Sequence, residues 1–387
     1  MKTLRATLAL LLLVSSGSLL AQNLTKDTFG KGLTVQAEDS SFQLKFGFRF
    51  QTLYIGEKNL VTDAYTEEML IRRSRLKFDG YAFDPDIIFK VELALSNRDQ
   101  KSGSIPESGN TANIILDAVM KWRFADNWSL WFGQTKLPGN RERVISSQKL
   151  QFVDRSLVNG NFNLDRGKGI QLHHTSGTGF VFKQSLALTM GDGRNIITEN
   201  PFNGREITGR LEFLPFGEFT GKGDYFGADL KREPSPKLSI GVTADYNSNA
   251  VRAKGNLGDF LTDTNDAYIT NDLNTYFVDM MFKYNGFSAM SEYATRSTRK
   301  TNNGFATGNG LVIQMGYLLP SDWEFAGRLT EINGSSGSTI SHVTEYTLGI
   351  SRYVVGHHLK VQSDFSYQNM PNADNELIFR FQTELAF

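Results

Sequence analysis

The chain has 387 residues, with 41 basic and 41 acidic side chains and no cysteine. Balanced charge argues against a nucleic-acid partner, which favours a strongly basic surface, and the lack of cysteine excludes a disulfide-stapled scaffold. The 36 glycines, 29 phenylalanines and 13 tyrosines favour a chain rich in turns and strands.

The first residues have the layout of a secretory leader. Lys2 and Arg5 precede an apolar run at residues 8–14, and the small residue Ala21 follows. This order is typical of a cleaved signal peptide over residues 1–21, because the run is much shorter than the ~20 residues that a spanning helix needs. No later run reaches that length, so a helical membrane protein is excluded. The polar residues 22–41 are expected to form a periplasmic tail.

From residue 42 onwards, apolar and polar residues alternate in segments of about ten residues, the length of a tilted strand that crosses a bilayer. In the first segment Phe46, Phe48 and Phe50 alternate with Lys45 and Arg49. A soluble sandwich also alternates, but a charged polar face and connections that are alternately short and long are typical of an outer-membrane β-barrel. Candidate segments begin near residues 42, 69, 86, 113, 129, 167, 178, 205, 225, 237, 273, 287, 310, 322, 342, 358 and 376.

A single-chain bacterial barrel needs an even number of strands, and one segment is therefore surplus. Residues 225–233 precede Pro234 and Pro236, and prolines suit connections better than central strands. With that segment in a connection, every long loop falls on the outer side. The sequence thus predicts an all-β fold, a transmembrane antiparallel β-barrel of about 16 strands over residues 42–387, closed because unpaired backbone groups are too costly in lipid.

Three stretches resemble the phosphate-selective porins of the O and P type. They are Ile-Arg-Arg-Ser-Arg-Leu at residues 71–76, the region from Asp117 to Leu157 with Trp-Phe-Gly-Gln-Thr-Lys-Leu-Pro at its centre, and Arg-Gly-Lys-Gly-Ile-Gln-Leu at residues 166–172. The resemblance implies a sixteen-stranded, usually trimeric, passive channel. It also implies that the third long loop, here about 138–166, folds into the lumen and sets the constriction.

The resemblance also implies which residues form the constriction. The family uses paired arginines on the second strand and basic and hydroxyl side chains on the third long loop. The second loop lysine of the family falls at Gln148 here, with a lysine one place later. The residues implied in this way are Arg72, Arg73, Arg143, Ser146, Ser147 and Lys149.

Adjacent residues of a regular strand point to opposite faces, so Arg72 and Arg73 cannot both enter the lumen of a regular barrel. Either Arg72 lies at the strand mouth or a bulge intervenes. Arg73, Arg75 and Lys77 share one face and are the stronger lumen candidates.

The polar faces of the first four strands form a basic wall, whereas those of later strands are mixed or acidic. Fixed cations lower the cost of removing water from an anion, which gives selectivity. A basic wall that faces an acidic one is also the layout of a general pore, so anion preference and unselective diffusion both stay open. Besides the arginines already named, the wall contains Lys45, Arg49, Lys77, Lys90, Lys121 and Arg123.

A different class of function, a plugged barrel with a structural or adhesive role, also stays open. Catalysis finds little support, because no nucleophile motif occurs and the pairs His173-His174 and His357-His358 would point apart in a strand. No enzyme activity, cofactor or metal site is predicted. The expected partners are outer-membrane lipid, small hydrophilic or anionic solutes, two further copies of the chain in a homotrimer, and a barrel-insertion machinery that recognises Phe387.

Overall fold

The computed structural model describes residues 29–100, 113–196 and 204–387. The predicted signal peptide, residues 1–21, lies outside these ranges. None of the helices within them is long and apolar enough to cross a membrane.

Sixteen long strands form a single closed sheet. They are β2 (Phe42–Asn59), β3 (Tyr65–Ala82), β4 (Asp84–Ala94), β5 (Ile115–Ala125), β6 (Trp128–Lys136), β7 (Arg166–Ser176), β8 (Val181–Thr189), β9 (Arg205–Leu214), β10 (Lys237–Ala250), β11 (Asn271–Tyr284), β12 (Phe287–Thr298), β13 (Gly308–Leu318), β14 (Trp323–Gly334), β15 (Val343–Val355), β16 (Leu359–Asn369) and β17 (Glu376–Ala386). Each is antiparallel to the next, and β17 pairs with β2 to close the barrel. The predicted sixteen-stranded antiparallel barrel is confirmed, and residues 225–233 contain no strand.

A short additional strand, β1 (Leu33–Gln36), pairs with the start of β2. β1 and β17 pair with the same edge of β2 but with different parts of it. Leu33 of β1 pairs with Phe46, whereas the pairing with β17 ends at Ala386 and Arg49. Part of the predicted N-terminal tail is therefore a strand that extends one edge of the barrel.

The two faces of the barrel wall differ as the alternation predicts. In β11, Tyr276, Val278 and Met280 are exposed on the outside, where they would contact lipid. Thr275, Asp279 and Lys283 alternate with them and are buried inside. The same alternation along the other strands gives an apolar exterior and an interior in which polar side chains predominate.

The connections at one end of the barrel are short turns, and those at the other end are long loops. The second long loop contains α1 (Asn97–Gln100). The third long loop, residues 137–165, contains α2 (Arg141–Val144), a 3-10 turn (Ser147–Lys149) and α3 (Leu157–Phe162). One connection at the short-turn end is long as well. This β9–β10 connection, residues 215–236, contains a 3-10 turn at Gly223–Tyr225.

An apolar core lies inside the barrel, between the third long loop and the wall formed by β8 to β14. Val158 and Phe162 of the loop are fully buried and pack in one cluster with Phe277 and Val312 of the wall. Burial of a large apolar side chain stabilises a fold by roughly 1.5–3 kcal/mol, so several such contacts hold the loop in place. The loop therefore occupies one side of the lumen and leaves the wall of β2 to β7 facing the remaining space.

Candidate functional site

The third long loop crosses the lumen because polar side chains anchor it to the far wall. Arg141 is completely buried, and its guanidinium group contacts Asp279 at 2.6 Å and Glu212 at 3.0 Å. Asn140 donates a 2.8 Å hydrogen bond to Glu292 on β12. Since arginine presents several donors in a planar fork, one side chain joins the loop to two different strands.

Arg72 and Arg73 both reach the lumen because β3 contains a β-bulge. Gln51 of β2 pairs with Arg73 and Thr52 pairs with Ile71, which leaves Arg72 without a partner residue across the ladder. A bulge reorients the side chain of its extra residue. Of the two arrangements that the sequence leaves open, the bulge is the one present.

The two arginines share one carboxylate of the third long loop. Asp154 accepts hydrogen bonds from Arg72 at 2.8 Å and from Arg73 at 3.2 Å. Burial alone would raise the pKa of the Asp154 carboxyl group, but the two guanidinium groups hold it well below its ordinary value. Asp154 is therefore a fixed negative charge that ties the loop to β3.

Arg75 is held in the same way by a carboxylate of the second long loop. Its Nε and Nη2 atoms donate to the two oxygens of Asp99 at 2.8 and 2.9 Å, and its Nη1 atom donates to Glu92 at 3.1 Å. Arg49 donates to the Ser147 hydroxyl of the third long loop at 2.7 Å. Side chains of the second and third long loops thus contact basic residues on both β2 and β3.

Two cavities lie along this wall, and their linings overlap at one point. The larger has a volume of about 720 Å³ and the smaller about 380 Å³. The residues common to both linings are Arg75, Lys90 and Glu92 of the wall and Ser146 of the third long loop. These four side chains lie where the two cavities adjoin, and we call them the eyelet.

Most of the predicted wall lines the larger cavity. Lys45, Arg49, Lys77 and Lys90 do so, together with the loop residue Lys149. The lining contains eight basic side chains (Lys45, Arg49, Arg75, Lys77, Lys90, Lys149, Lys231 and Lys283) against four acidic ones (Asp79, Glu92, Asp229 and Glu233). In the described part of the chain, no carboxylate lies within ion-pair distance of Lys45, Lys149 or Lys231, so the cavity has an excess of positive charge.

Six of the predicted residues line neither cavity, and three of these, Arg72, Arg73 and Ser147, take part in the contacts between the wall and the third long loop described above. Arg143 pairs with Asp165 within the third long loop. Lys121 stacks on the Trp131 ring at 3.5 Å, and Arg123 pairs with Asp86 at the short-turn end, where its side chain is half exposed. The structure therefore brings Arg75, Lys90 and Ser146 together but keeps Arg143 apart from them.

Sequence reasoning missed the contribution of the β9–β10 connection to the site. Phe226 of this connection lines the larger cavity, and the Lys149 ammonium group lies 3.7 Å from the centre of its ring. Burial and the nearby charges of Lys77 and Lys222 lower the pKa of Lys149 to about 8. The only signal in the sequence was the length of the connection and its prolines.

His173 and His174 are separated as the strand geometry predicts, whereas His357 and His358 lie in the turn between β15 and β16 and both line the larger cavity. His173 stacks on Trp131 and lines the smaller cavity, whereas His174 stacks on Trp128. Across residues 29–100, 113–196 and 204–387, no group of three or more metal-binding side chains is close enough to hold an ion.

The comparisons with known proteins agree on the kind of barrel. The model of a family described as phosphate-selective porin O and P matches residues 42–377. An uncharacterized protein of Aquifex aeolicus (strain VF5) is 25% identical over 263 residues, which are 63% of this chain and 60% of that protein. The chain thus spans less than two thirds of the length of this relative.

Solved structures of outer-membrane proteins share the fold at low sequence identity. A loop L8 deletion mutant of OmpT from Vibrio cholerae has a TM-score of 0.57 at 12% identity, over 90% of this chain and 100% of that one. In-vitro folded OmpT in its trimer form has a TM-score of 0.54 at 10% identity, over 90% and 100% of the two chains. An anion-selective porin from Comamonas acidovorans has a TM-score of 0.54 at 11% identity, over 89% and 100%.

Proposed function

Because the chain belongs to the phosphate-selective porin O and P family, we propose that it forms a passive, water-filled channel for small hydrophilic solutes and that it prefers anions, phosphate among them. It is a porin of the outer membrane and not an enzyme. The observation that carries the anion preference is the excess of basic side chains around the larger cavity, where Lys45, Lys149 and Lys231 have no carboxylate partner among the described residues.

The proposed mechanism is charge selection along the wall of β2 to β7. An anion that enters the passage loses part of its water shell, and fixed ammonium and guanidinium groups compensate for that loss. Lys45, Lys149 and Lys231 provide the unpaired positive charge along the larger cavity, and at the eyelet the Ser146 hydroxyl can donate a hydrogen bond to an oxyanion. Glu92 pairs with both Arg75 and Lys90, which lowers the net positive charge of the eyelet, so that a bound anion can leave again.

We further propose that the chain is exported with a cleaved signal peptide and assembles as a homotrimer surrounded by lipid. The long loops would then face the outside and the short turns the periplasm. Phe387 would be the residue that the barrel-insertion machinery recognises. Its backbone exchanges two hydrogen bonds with Phe48, which keeps it at the periplasmic end of the β17–β2 seam.

The test is the single-channel conductance of the purified protein in planar bilayers, with the reversal potential measured under a KCl gradient. We expect a steady conductance with an anion-biased reversal potential, and a weaker bias in Lys45→Ala, which removes one of the unpaired charges of the larger cavity. Arg123→Ala is the matched control, because Arg123 belongs to the same wall but lies at the short-turn end. An unbiased conductance would leave a general porin, and no conductance from folded protein would favour the plugged structural or adhesive barrel.

A further inference from the structure

The β9–β10 connection is unusual because it folds into the barrel from the short-turn end. Asp224, Asp229 and Glu233 are 0–1% exposed, although they belong to a connection and not to a strand. Connections normally run over the surface, since a buried loop must find partners for its own polar groups. Here Lys183 donates to Asp224, and Thr220 donates to Glu233 through its backbone amide and its hydroxyl.

The connection crosses the mouth of the barrel from β9 to β15. Lys283 of β11 donates to the Ala228 carbonyl at 2.7 Å, and Asp229 accepts from the Gly286 backbone at 2.8 Å. Arg232 donates to the Leu318 carbonyl at the end of β13. Ala228 also packs with Leu318 and Tyr353 in a small apolar cluster.

The connection meets the third long loop inside the lumen. The Gly227 amide donates a 2.8 Å hydrogen bond to the Lys149 carbonyl, and Arg141 donates to the Asp224 carbonyl at 3.1 Å. The approach is so close that a Cβ atom on Gly227 would lie 2.5 Å from the Gln151 backbone nitrogen. Only glycine fits at this position without moving one of the two segments.

The space that remains lies between the connection and the basic wall. The larger cavity is bounded on one side by Lys45, Arg49 and Lys77, and on the other by Gly223 and Phe226 of the connection. We propose that the β9–β10 connection is a second constriction element, which joins the third long loop to close the half of the lumen next to β9–β15 and confines solutes to the basic wall. This inference rests on the proposed channel function and identifies Phe226 as a residue that limits the size of permeating solutes.

The decisive variant lacks the connection but keeps the strands in register. Phe213 pairs with Ile240, so Leu214 and Ser239 are the next opposing residues. A two-residue Asn-Gly turn can therefore replace residues 215–238, as the Asn285-Gly286 turn joins β11 to β12. We expect single-channel conductance to rise by about twofold or more, with passage of larger solutes and a smaller anion bias, since solutes then no longer have to follow the basic wall.

A crosslink shows whether the third long loop keeps its place in this variant. The Gln51 side chain donates to the Ser147 carbonyl at 3.4 Å, so cysteines at these two positions should be joined by a short bifunctional thiol reagent in the intact barrel. If the crosslink forms in the shortened protein, the rise in conductance comes from the missing connection and not from a displaced loop.

Point variants keep the test independent of the deletion. Phe226→Ser should raise conductance, whereas Phe216→Ser, at an exposed position of the same connection, should leave it unchanged. Gly227→Val should also raise conductance, because it forces the connection away from the loop.

The outcomes separate this inference from the proposed function. If the native chain conducts and the shortened protein conducts equally, the connection is no constriction and the inference fails while the channel stands. If only the shortened protein conducts, the connection is the block and the native chain is a closed barrel. If neither folded protein conducts, both the inference and the channel are wrong.

Discussion

At the scale of single residues, carboxylates from the loops occupy the arginines that the sequence assigns to anion binding. Asp99 holds Arg75 through two parallel hydrogen bonds, which is the geometry that a phosphate would use. The Asp154 carboxylate likewise occupies Arg72 and Arg73, with one oxygen accepting from each arginine. The proposed anion preference therefore depends on Lys45, Lys149 and Lys231, which have no such partner among the described residues.

Removal of the Asp154 charge should strengthen anion preference. In Asp154→Asn, Arg72 and Arg73 keep their charges but lose the carboxylate that neutralises them, so we expect the reversal potential to shift towards anions. Asp63→Asn is the control, because Asp63 forms an exposed ion pair with Lys58 in an outer loop, where pairing has little effect. An unchanged reversal potential in Asp154→Asn would show that these arginines lie off the conducting path.

The charge of Lys149 should make selectivity depend on pH. With a pKa of about 8, this lysine is protonated at pH 6 and largely neutral at pH 9, so the anion bias should fall as pH rises through 8. Reversal potentials between pH 6 and pH 9 test this. Lys149→Met should show the weak bias at every pH, and Lys149→Arg should keep the strong bias throughout, since arginine stays charged. A native pH profile that survives in Lys149→Met would assign the titration to another group.

At the scale of elements, the third long loop owes its position to buried ion pairs. Arg141→Met leaves Asp279 and Glu212 with Arg210 as their remaining basic partner, and the loss of the Arg141 hydrogen bonds should cost roughly 1–3 kcal/mol. We expect a lower unfolding free energy in urea and a noisier, larger conductance as the loop detaches. Arg299→Met, which removes an exposed ion pair with Asp272, should cost only about 0–1 kcal/mol. Equal losses in the two variants would contradict the anchoring role.

The elements of the barrel could be predicted because lipid imposes a simple pattern. Alternation in β11 follows directly from an apolar outside and a polar inside. Pro234 and Pro236 correctly indicated that residues 225–233 form no strand. The partners of Arg75 could not be predicted, since α1 lies in a loop whose path no periodicity encodes. The inward course of residues 215–236 was equally hidden, because it depends on contacts such as Gly227 to Lys149 between distant parts of the chain.

At the scale of the whole molecule, the barrel is closed by one seam between its first and last long strands. The hydroxyl groups of Thr52 and Thr383 lie 2.7 Å apart across this seam. Since the chain contains no cysteine, Thr52→Cys with Thr383→Cys should form a single disulfide in the folded protein. Non-reducing electrophoresis after boiling would show it as a shifted band. Thr52→Cys with Thr295→Cys, on the distant strand β12, should give no shift, and a shift there would indicate a different closure.

The shared edge of β2 has a consequence for the order of events during export. The β1–β2 hairpin needs only residues 33–46 and can form as soon as the ribosome has made them. Residues 49–59 of β2 instead pair with β17, which is made only after some three hundred further residues. Until β17 is made, residues 49–59 of β2 have backbone donors and acceptors without partners along this edge, and such edges attract strands of other chains. We therefore expect that correct closure of the barrel requires this part of β2 to stay shielded from other strands until β17 has been made.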